Sequence, residues 1–169
     1  DYPENTWTIV NIPHTWNAED ASDEANGFLR GKGVYEKTVC INEDISSHSF
    51  FFHFEGANQV TELFVNGTSA GVHIGGYTAF CFEVTRLLRQ GDNEIKVVVD
   101  NSHNPDIPPL SADFTFWGGI YRDITLVVTP RVHVSATHFA TSGVYIDTFD
   151  EEASQSGVRI RTFLSNDMP

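Results

Sequence analysis

The stretch Asp113-Phe-Thr-Phe-Trp-Gly-Gly-Ile-Tyr-Arg-Asp123 leads directly into the apolar run Ile124-Thr-Leu-Val-Val128. It places one carboxylate beside four aromatic rings and follows them with a Gly-Gly bend and an Arg-Asp pair. Glycine pairs mark turns, and a short run rich in β-branched residues is typical of a buried strand. The stretch therefore predicts an aromatic loop that ends where a β-strand begins.

Further strand patterns lie on the amino-terminal side of this loop. Ile95, Val97 and Val99 recur with period two, which is the pattern of a strand with one buried face. The predicted strands before residue 130 are Thr6–Val10, Val34–Ile41, Ser49–Glu55, Val60–Val65, Phe80–Val84, Glu94–Asp100 and Asp123–Val128. Many short strands at this spacing are typical of a β-sandwich or barrel.

The pattern changes after Pro130. Three strands are predicted there, at Val132–Phe139, Val144–Thr148 and Val158–Leu164, and the second is shorter than the first. Two or three strands cannot bury a sandwich core by themselves. We therefore expect an all-β chain, with one complete sandwich over residues 1–130 and the first strands of a second, incomplete β domain over residues 131–169.

Composition narrows the range of partners. The 169 residues carry a net charge of −13, which argues against nucleic acid and against an anionic membrane surface. No apolar run approaches the ~18 residues that a transmembrane helix needs. The two cysteines, Cys40 and Cys81, lie in apolar runs, so buried free thiols are the default interpretation and a disulfide is the alternative.

Two long segments, Asn17–Lys32 and Asn101–Trp117, lack strand periodicity. Loops of this length in a compact domain are usually functional or disordered. Three prolines stiffen the second loop, which favours a function, whereas the acidic first loop is equally well explained as a solvated edge. In the second loop, Asp113 among aromatic rings favours a sugar ligand, because a carboxylate accepts hydroxyl hydrogen bonds roughly twice as strong as neutral ones. The alternative is that the rings belong to the core and Asp113 caps a turn.

Several sequence blocks occur in a fixed order along nearly the whole chain. They are Trp7-Thr-Ile-Val-Asn-Ile-Pro-His-Thr-Trp16, Gly33-Val-Tyr35, Phe54-Glu-Gly-Ala-Asn58, Leu63-Phe-Val-Asn-Gly67, Leu87-Leu-Arg-Gln-Gly-Asp-Asn93 and Gly118-Gly-Ile-Tyr-Arg-Asp123. Each block alone is common, but the order is specific. In this order the blocks resemble glycoside hydrolase family 2, the family of β-galactosidases, β-glucuronidases and β-mannosidases.

The resemblance implies a jelly-roll β-sandwich, similar to a galactose-binding domain, followed by an immunoglobulin-like domain that begins near Arg131. It also implies a (β/α)₈ barrel in the parent protein, which carries the two catalytic carboxylates of a retaining glycosidase. No barrel pattern occurs in these 169 residues. We therefore expect no catalytic residue, no metal site and no cofactor in this chain. The expected partners are a β-linked glycoside in the full enzyme and the barrel itself.

The resemblance also implies substrate-binding residues. Asp113 matches an aspartate that binds galactose at the barrel mouth in β-galactosidases of the family, and a cation beside Asp113 in the full enzyme is left open. Asn26 is the candidate for an asparagine of the first loop that plays a similar part in some members. Trp117 is either a platform for the sugar or a core residue.

Other residues of these blocks are interpreted as structural. His14 and Trp16 are interpreted as packing or turn residues, and Arg122-Asp123 as a bidentate ion pair that locks the loop. A β-galactosidase fragment is the first functional interpretation, and a β-glucuronidase or β-mannosidase fragment is its alternative. A free-standing carbohydrate-binding module and a structural sandwich within a homo-oligomer are further alternatives, because fold does not determine function. A bacterial periplasm and a cytoplasm fit equally well.

Overall fold

A computed structural model describes residues 6–20, 28–111, 114–151 and 155–168. This part of the chain contains eleven β-strands and no α-helix. The strands are β1 (Lys32–Ile41), β2 (His48–Phe54), β3 (Val60–Val65), β4 (Thr68–Ile74), β5 (Phe80–Glu83), β6 (Gly91–Asp100), β7 (Ile124–Pro130), β8 (Val132–Val134), β9 (Val144–Glu151), β10 (Gln155–Thr162) and β11 (Leu164–Asn166). None of the described segments is a helix long and apolar enough to span a membrane. The expected all-β class is confirmed.

Two antiparallel sheets form the sandwich before residue 131. One has the strand order β1-β6-β3-β4, and the other has the order β5-β2-β7. The facing side chains of the two sheets form one apolar core. Its buried members include Ile41, Phe50, Phe52, Phe54, Leu63, Val65, Phe80, Phe82, Val84, Ile95, Val97, Val99 and Ile120.

Strand β2 is buried on both faces. Phe50, Phe52 and Phe54 point into the core and are at most 6% exposed, as the period-two pattern predicts. Phe51 is also buried, at 2% exposure, although it points to the outer face. There its ring lies 5.2 Å from the ring of His133, between centroids. The strands after residue 130 therefore cover the outside of β2.

Strand β4 was not predicted from the sequence. It follows β3 through the two-residue turn Asn66-Gly67, whose φ angles of 50° and 80° are those of a tight hairpin. The turn brings β4 back along β3 as an antiparallel partner. Gly71 and several polar residues give this segment little strand character of its own. Pairing with β3 outweighs that local preference.

Two of the predicted strands are wrong. The segment Thr6–Val10 is not a strand, and Trp7 and Ile9 are 67% and 100% exposed, because no sheet of the described chain pairs with it or covers it. The strand predicted at Val132–Phe139 ends at Val134. Phe139 and Ala140 adopt φ angles of 53° and 49°, which turn the chain away from an extended path.

The strands after Pro130 form two small sheets, β11-β8 and β10-β9. Polar contacts join them to β2. Ser49 Oγ donates to Asp167 Oδ2 at 2.7 Å, and His53 Nε2 lies 3.0 Å from the Ala140 carbonyl oxygen. The domain boundary between residues 130 and 131 stays a prediction.

The β9–β10 hairpin has one apolar face. Val144 and Ile146 of β9 share this face with Val158 and Ile160 of β10, since Ile146 and Ile160 are direct partners. The four side chains are between 41% and 66% exposed. The opposite face carries Tyr145, Asp147 and Arg161, with an ion pair of 3.2 Å between Arg161 Nε and Asp147 Oδ2. The hairpin is thus amphipathic, and its apolar side is uncovered.

Both cysteines are free. The interpretation of Cys40 as a buried thiol is wrong, because Val39 and Ile41 point inward on β1 and the residue between them points outward. Cys81 on β5 is half-buried, and burial raises the pKa of its thiol to about 11. Cys81 is therefore protonated at neutral pH.

Candidate functional site

Loops at one end of the sandwich meet around buried asparagines. Asn17, Asn58 and Asn101 are 0%, 4% and 1% exposed. They come from the first long loop, the segment after β2 and the residue that follows β6. A buried amide costs stability unless its polar atoms are bonded. The bonds of these side chains therefore determine how the loops lie.

Asn17 joins the first loop to the Gly-Gly bend. Its Oδ1 accepts a hydrogen bond from the Gly118 amide at 2.6 Å. Its Nδ2 donates to the Leu29 carbonyl at 2.8 Å and to the Asp20 carboxylate. The same carboxylate accepts from the Leu29 amide at 2.7 Å. One buried side chain thus holds both described ends of the first loop against the bend.

Asn58 and Asn101 connect the first loop and the Gly-Gly bend to the strands β2 and β6, which precede these two residues. Asn101 Oδ1 accepts from the Gly31 amide at 2.8 Å. Asn58 Nδ2 donates to the Trp117 carbonyl at 2.7 Å, and the Asn58 amide donates to the Gly119 carbonyl at 3.1 Å. The backbone on both sides of Gly118 is therefore fixed to the sandwich.

The Gly118-Gly119 bend has no room for side chains. A Cβ at Gly118 would overlap the ring of Trp16, and a Cβ at Gly119 would overlap the Tyr35 hydroxyl. Gly119 also has a φ of 102°, which residues with a side chain rarely adopt. The bend therefore packs directly on these two rings, and it brings Trp117 close to the Pro-His-Thr-Trp block.

A pocket of about 190 Å³ opens beside the bend and is lined by Pro13, His14, Thr15, Trp117 and Tyr121. Small-molecule sites combine a mainly apolar wall with a few polar groups, and their volumes are roughly 300–1,000 Å³. This pocket has the same kind of lining at a smaller volume.

His14 and Tyr121 are the ionisable groups of this pocket. His14 Nδ1 lies 2.9 Å from the Tyr35 hydroxyl, and the His14 amide donates to the Ile120 carbonyl at 2.7 Å. Burial lowers the pKa of His14 below its ordinary value of 6.5, so the imidazole is neutral at neutral pH. The Tyr121 hydroxyl donates to the Gly76 carbonyl, and burial raises the pKa of Tyr121. The hydrogen of the Tyr121 hydroxyl is therefore already used within the protein.

Arg122 locks the loop in a different way from the one predicted. The ion pair expected between Arg122 and Asp123 is wrong, since no described carboxylate lies within ion-pair distance of Arg122. Arg122 Nη1 instead donates to the carbonyls of Glu55 and Tyr77 at 3.3 Å and 3.4 Å, and its guanidinium lies 5.2 Å from the Tyr121 ring centroid.

The structure describes one of the three predicted site residues and leaves the other two untested. Trp117 is half-buried and lines the pocket. Asp113 and Asn26 lie outside the described residues, and their roles stay predictions. His14, interpreted from the sequence as a packing residue, packs against Tyr35 and lines the pocket as well. The Pro-His-Thr-Trp block was the only sequence feature that pointed to His14. A sequence block does not show whether the imidazole faces a cavity.

The described part of the chain offers no metal centre. No three His, Cys, Asp or Glu side chains there are grouped so that they could hold an ion. The pocket offers an aromatic surface from Trp117 and Tyr121 and an imidazole from His14.

Comparison with known proteins identifies the family. Residues 1–130 match the family model described as "Glycosyl hydrolases family 2, sugar binding domain". The chain belongs to glycosyl hydrolases family 2. The resemblance carried by the ordered sequence blocks is thereby confirmed.

Individual relatives cover nearly the whole chain. The chain is 39% identical over 158 residues to the beta-glucuronidase of Bacteroides fragilis, a match that covers 93% of this chain and 23% of that protein. It is 32% identical over 146 residues to the beta-galactosidase of Thermoanaerobacter pseudethanolicus, covering 82% of this chain and 19% of that protein. The crystal structure of the FMN-binding beta-glucuronidase from Facaelibacterium prausnitzii L2-6 matches with a TM-score of 0.89 at 33% identity, over 96% of this chain and 26% of that chain. The chain thus spans about a quarter or less of the length of these relatives.

Proposed function

We propose that this chain is the non-catalytic, amino-terminal sugar-binding part of a retaining family 2 glycoside hydrolase that acts on a β-linked glycoside. The observation that carries the proposal is the match of residues 1–130 to the sugar-binding domain of the family. The pocket at Trp117 supports it, because an aromatic surface there adjoins the loop that carries Asp113. In this proposal a (β/α)₈ barrel supplies the catalytic carboxylates, and loops of this chain complete the substrate site.

Two substrate classes are candidates. A β-glucuronide is favoured by the relatives, since the beta-glucuronidase of B. fragilis is 39% identical and the beta-galactosidase of T. pseudethanolicus is 32% identical. A β-galactoside is favoured by the match of Asp113 to a galactose-binding aspartate. The net charge of −13, which repels an anionic sugar, also favours it. We take the β-glucuronide as the first substrate to test and the β-galactoside as the second.

The proposal also accounts for the uncovered face of the β9–β10 hairpin. Contiguous exposed apolar patches mark surfaces that another element covers. In the proposed enzyme the remaining strands of an immunoglobulin-like domain cover Val144, Ile146, Val158 and Ile160.

The test is an assay of the complete protein with nitrophenyl β-glucuronide, β-galactoside and β-mannoside. We expect hydrolysis of one of these, and a loss of about one to two decades in kcat/KM for Asp113→Ala. The reason is that a hydrogen bond to a charged group contributes roughly 1.5–3 kcal/mol. Because the sequence predicts a loop at Asp113, the melting temperature should change little. Asp106→Ala, which removes an exposed carboxylate of the same loop, is the matched control and should leave kcat/KM unchanged.

Two results would contradict the proposal in different ways. No hydrolysis of any of the three glycosides by the complete protein would reject the enzyme assignment. A large drop in melting temperature for Asp113→Ala with unchanged kcat/KM would show that Asp113 caps a turn and does not bind the substrate.

A further inference from the structure

The turn between β3 and β4 contains the dipeptide Asn66-Gly67, which is chemically reactive in an unfolded chain. The backbone nitrogen that follows an asparagine can attack the side-chain amide, and the attack is fastest at glycine because no side chain hinders it. Asparagine is for this reason among the thermolabile residues. The sequence has two such pairs, Asn66-Gly67 and Asn26-Gly27, and the structure describes the first of them.

In the folded chain the side-chain amide of Asn66 is held by three hydrogen bonds. Its Nδ2 donates to the Leu87 carbonyl at 2.9 Å and to Asn93 Oδ1 at 2.8 Å. Its Oδ1 accepts from the Glu94 amide at 3.1 Å. Both hydrogens of the amide nitrogen are thus used. Attack on Cγ by the Gly67 nitrogen requires the amide to turn out of this position, so these bonds must break first.

Asn93 keeps its partner Asn66 in place because Asn93 is itself immobilised. It is 0% exposed, and its Nδ2 donates to the carbonyls of Arg89 and Gly91, both at 2.8 Å. Its Oδ1 also accepts from the Arg89 amide at 2.8 Å. A buried amide with its polar atoms bonded in this way presents its oxygen in a fixed direction. Gly67 is exposed, so hydrogen bonds and not burial hold the reactive group.

We propose that Asn66-Gly67 is a site of spontaneous deamidation that is closed in the folded chain and reacts when the β3–β4 turn opens. In the reaction the Gly67 nitrogen forms a bond to Asn66 Cγ and loses its proton, the bond from Cγ to Nδ2 breaks, and ammonia leaves. Water then opens the succinimide ring and gives aspartate or isoaspartate at position 66. Water is the only co-reactant, and no group is oxidised or reduced.

The products do not fit the folded turn. A carboxylate accepts hydrogen bonds and donates none, and the place of Nδ2 faces two acceptors, the Leu87 carbonyl and Asn93 Oδ1. Isoaspartate also lengthens the main chain by a carbon atom, directly beside the Val65–Thr68 pair of the hairpin. Deamidation therefore converts a transient opening of the turn into a permanent loss of stability.

The test is peptide mass spectrometry of the 169-residue chain after incubation at neutral pH, in buffer and in denaturing urea. The gain in mass from amide to acid is followed at both Asn-Gly pairs. In urea we expect Asn66 and Asn26 to react at comparable rates. In buffer we expect Asn66 to react at least about tenfold more slowly than in urea, because its hydrogen bonds must open first.

Hydrogen exchange measures the same opening independently. The Glu94 amide donates to Asn66 Oδ1, so its exchange reports when that bond is broken. Urea below the unfolding transition should accelerate exchange at Glu94 and deamidation at Asn66 by the same factor. This comparison uses the parent chain and does not depend on whether a variant folds.

Variants test the hydrogen bonds. Asn66→Asp introduces one of the two products directly and should lower the melting temperature. Asn11→Asp, which adds the same charge at an exposed position, is the matched control and should leave the melting temperature nearly unchanged. Asn93→Ala removes one acceptor and should speed deamidation of Asn66 in buffer about threefold to tenfold. A dispersed amide spectrum shows that each variant is folded.

Three outcomes would overturn the proposal. Equal rates at Asn66 in buffer and in urea would show that its amide is not restrained in the folded chain. Reaction of Asn26 but not of Asn66 in urea would show that the second pair is unreactive. A melting temperature of Asn66→Asp equal to that of the parent chain would show that the product fits the turn. No glycoside enters these measurements, so this proposal and the proposed function fail separately.

Discussion

His73 lies on β4 with its ring stacked on Phe80 at a centroid distance of 3.9 Å. Its Nε2 is buried and has no hydrogen-bond partner. Burial lowers the pKa of His73 below the ordinary value of 6.5, against a smaller opposing effect from the Gly75 backbone. The neutral imidazole packs here as a flat ring, and protonation would destabilise the folded state because the charge would be partly buried.

His73 therefore makes stability depend on pH in a predictable direction. As the pH falls through 6.5, the unfolded chain binds a proton at this residue before the folded chain does. The unfolded state is then favoured, so stability falls below that pH and is recovered above it. We expect His73→Phe to reduce the drop in melting temperature between about pH 7.5 and about pH 5.5. His103→Phe, which removes an exposed imidazole, is the control. An unchanged drop in the His73 variant would contradict this account.

At the scale of strands, the number of hydrogen-bonded partner strands determines the local stability of a strand. β6 has hydrogen-bonded partners on both sides, β1 and β3, and its Ile95, Val97 and Val99 side chains are buried. β10 has one partner, β9, and carries Val158 and Ile160 on an uncovered face. A strand with one partner and an exposed apolar face opens locally, without unfolding of the sandwich.

Amide hydrogen exchange measures this difference. In the monomeric 169-residue chain we expect the amides of Val158–Thr162 to exchange at least about a hundredfold faster than those of Ile95–Val99. Phe51 to His53 of β2, which also has partners on both sides, should be protected like β6. Equal protection of the hairpin and of β6 in a monomer would contradict the prediction and would show one cooperative unit.

At the scale of the whole molecule, acidic residues are abundant, and catalysis depends on how they are placed. The chain has 23 Asp and Glu residues, and none of those whose burial the structure describes is buried. A retaining glycosidase needs two carboxyl groups about 5–5.5 Å apart, and its acid needs a pKa raised by an apolar pocket. The described part of the sandwich supplies rings, buried amides and an imidazole at its candidate site.

We therefore expect the 169-residue chain alone to hydrolyse no glycoside. Purified chain is incubated with nitrophenyl β-glucuronide, β-galactoside and β-mannoside, with the complete protein as the positive control. Turnover above buffer that persists through repeated purification, and that disappears when one acidic residue of the chain is replaced, would overturn the non-catalytic assignment.

The position of a strand was predictable where the residue pattern within that strand alone defines it. The alternation of Phe50, Phe52 and Phe54 is a property of an extended chain with one face in the core, and the structure places all three there. β4 and the segment Thr6–Val10 were not predictable in the same way, because pairing depends on which neighbour is available. β4 pairs with β3 through a tight turn, whereas no strand of the described chain pairs with Thr6–Val10.

By itself the sequence indicated the all-β sandwich through its strand patterns and the family through the order of its blocks, and the aromatic loop singled out Trp117. Only the tertiary structure decided that His14 shares a pocket with Trp117. It alone also showed that Asn17 holds the bend at Gly118, a residue 101 positions away. The physical reason is the range of the interactions. Periodicity and turn chemistry act between residues near in sequence, whereas a buried amide or imidazole is stabilised by partners that only the folded chain brings to it.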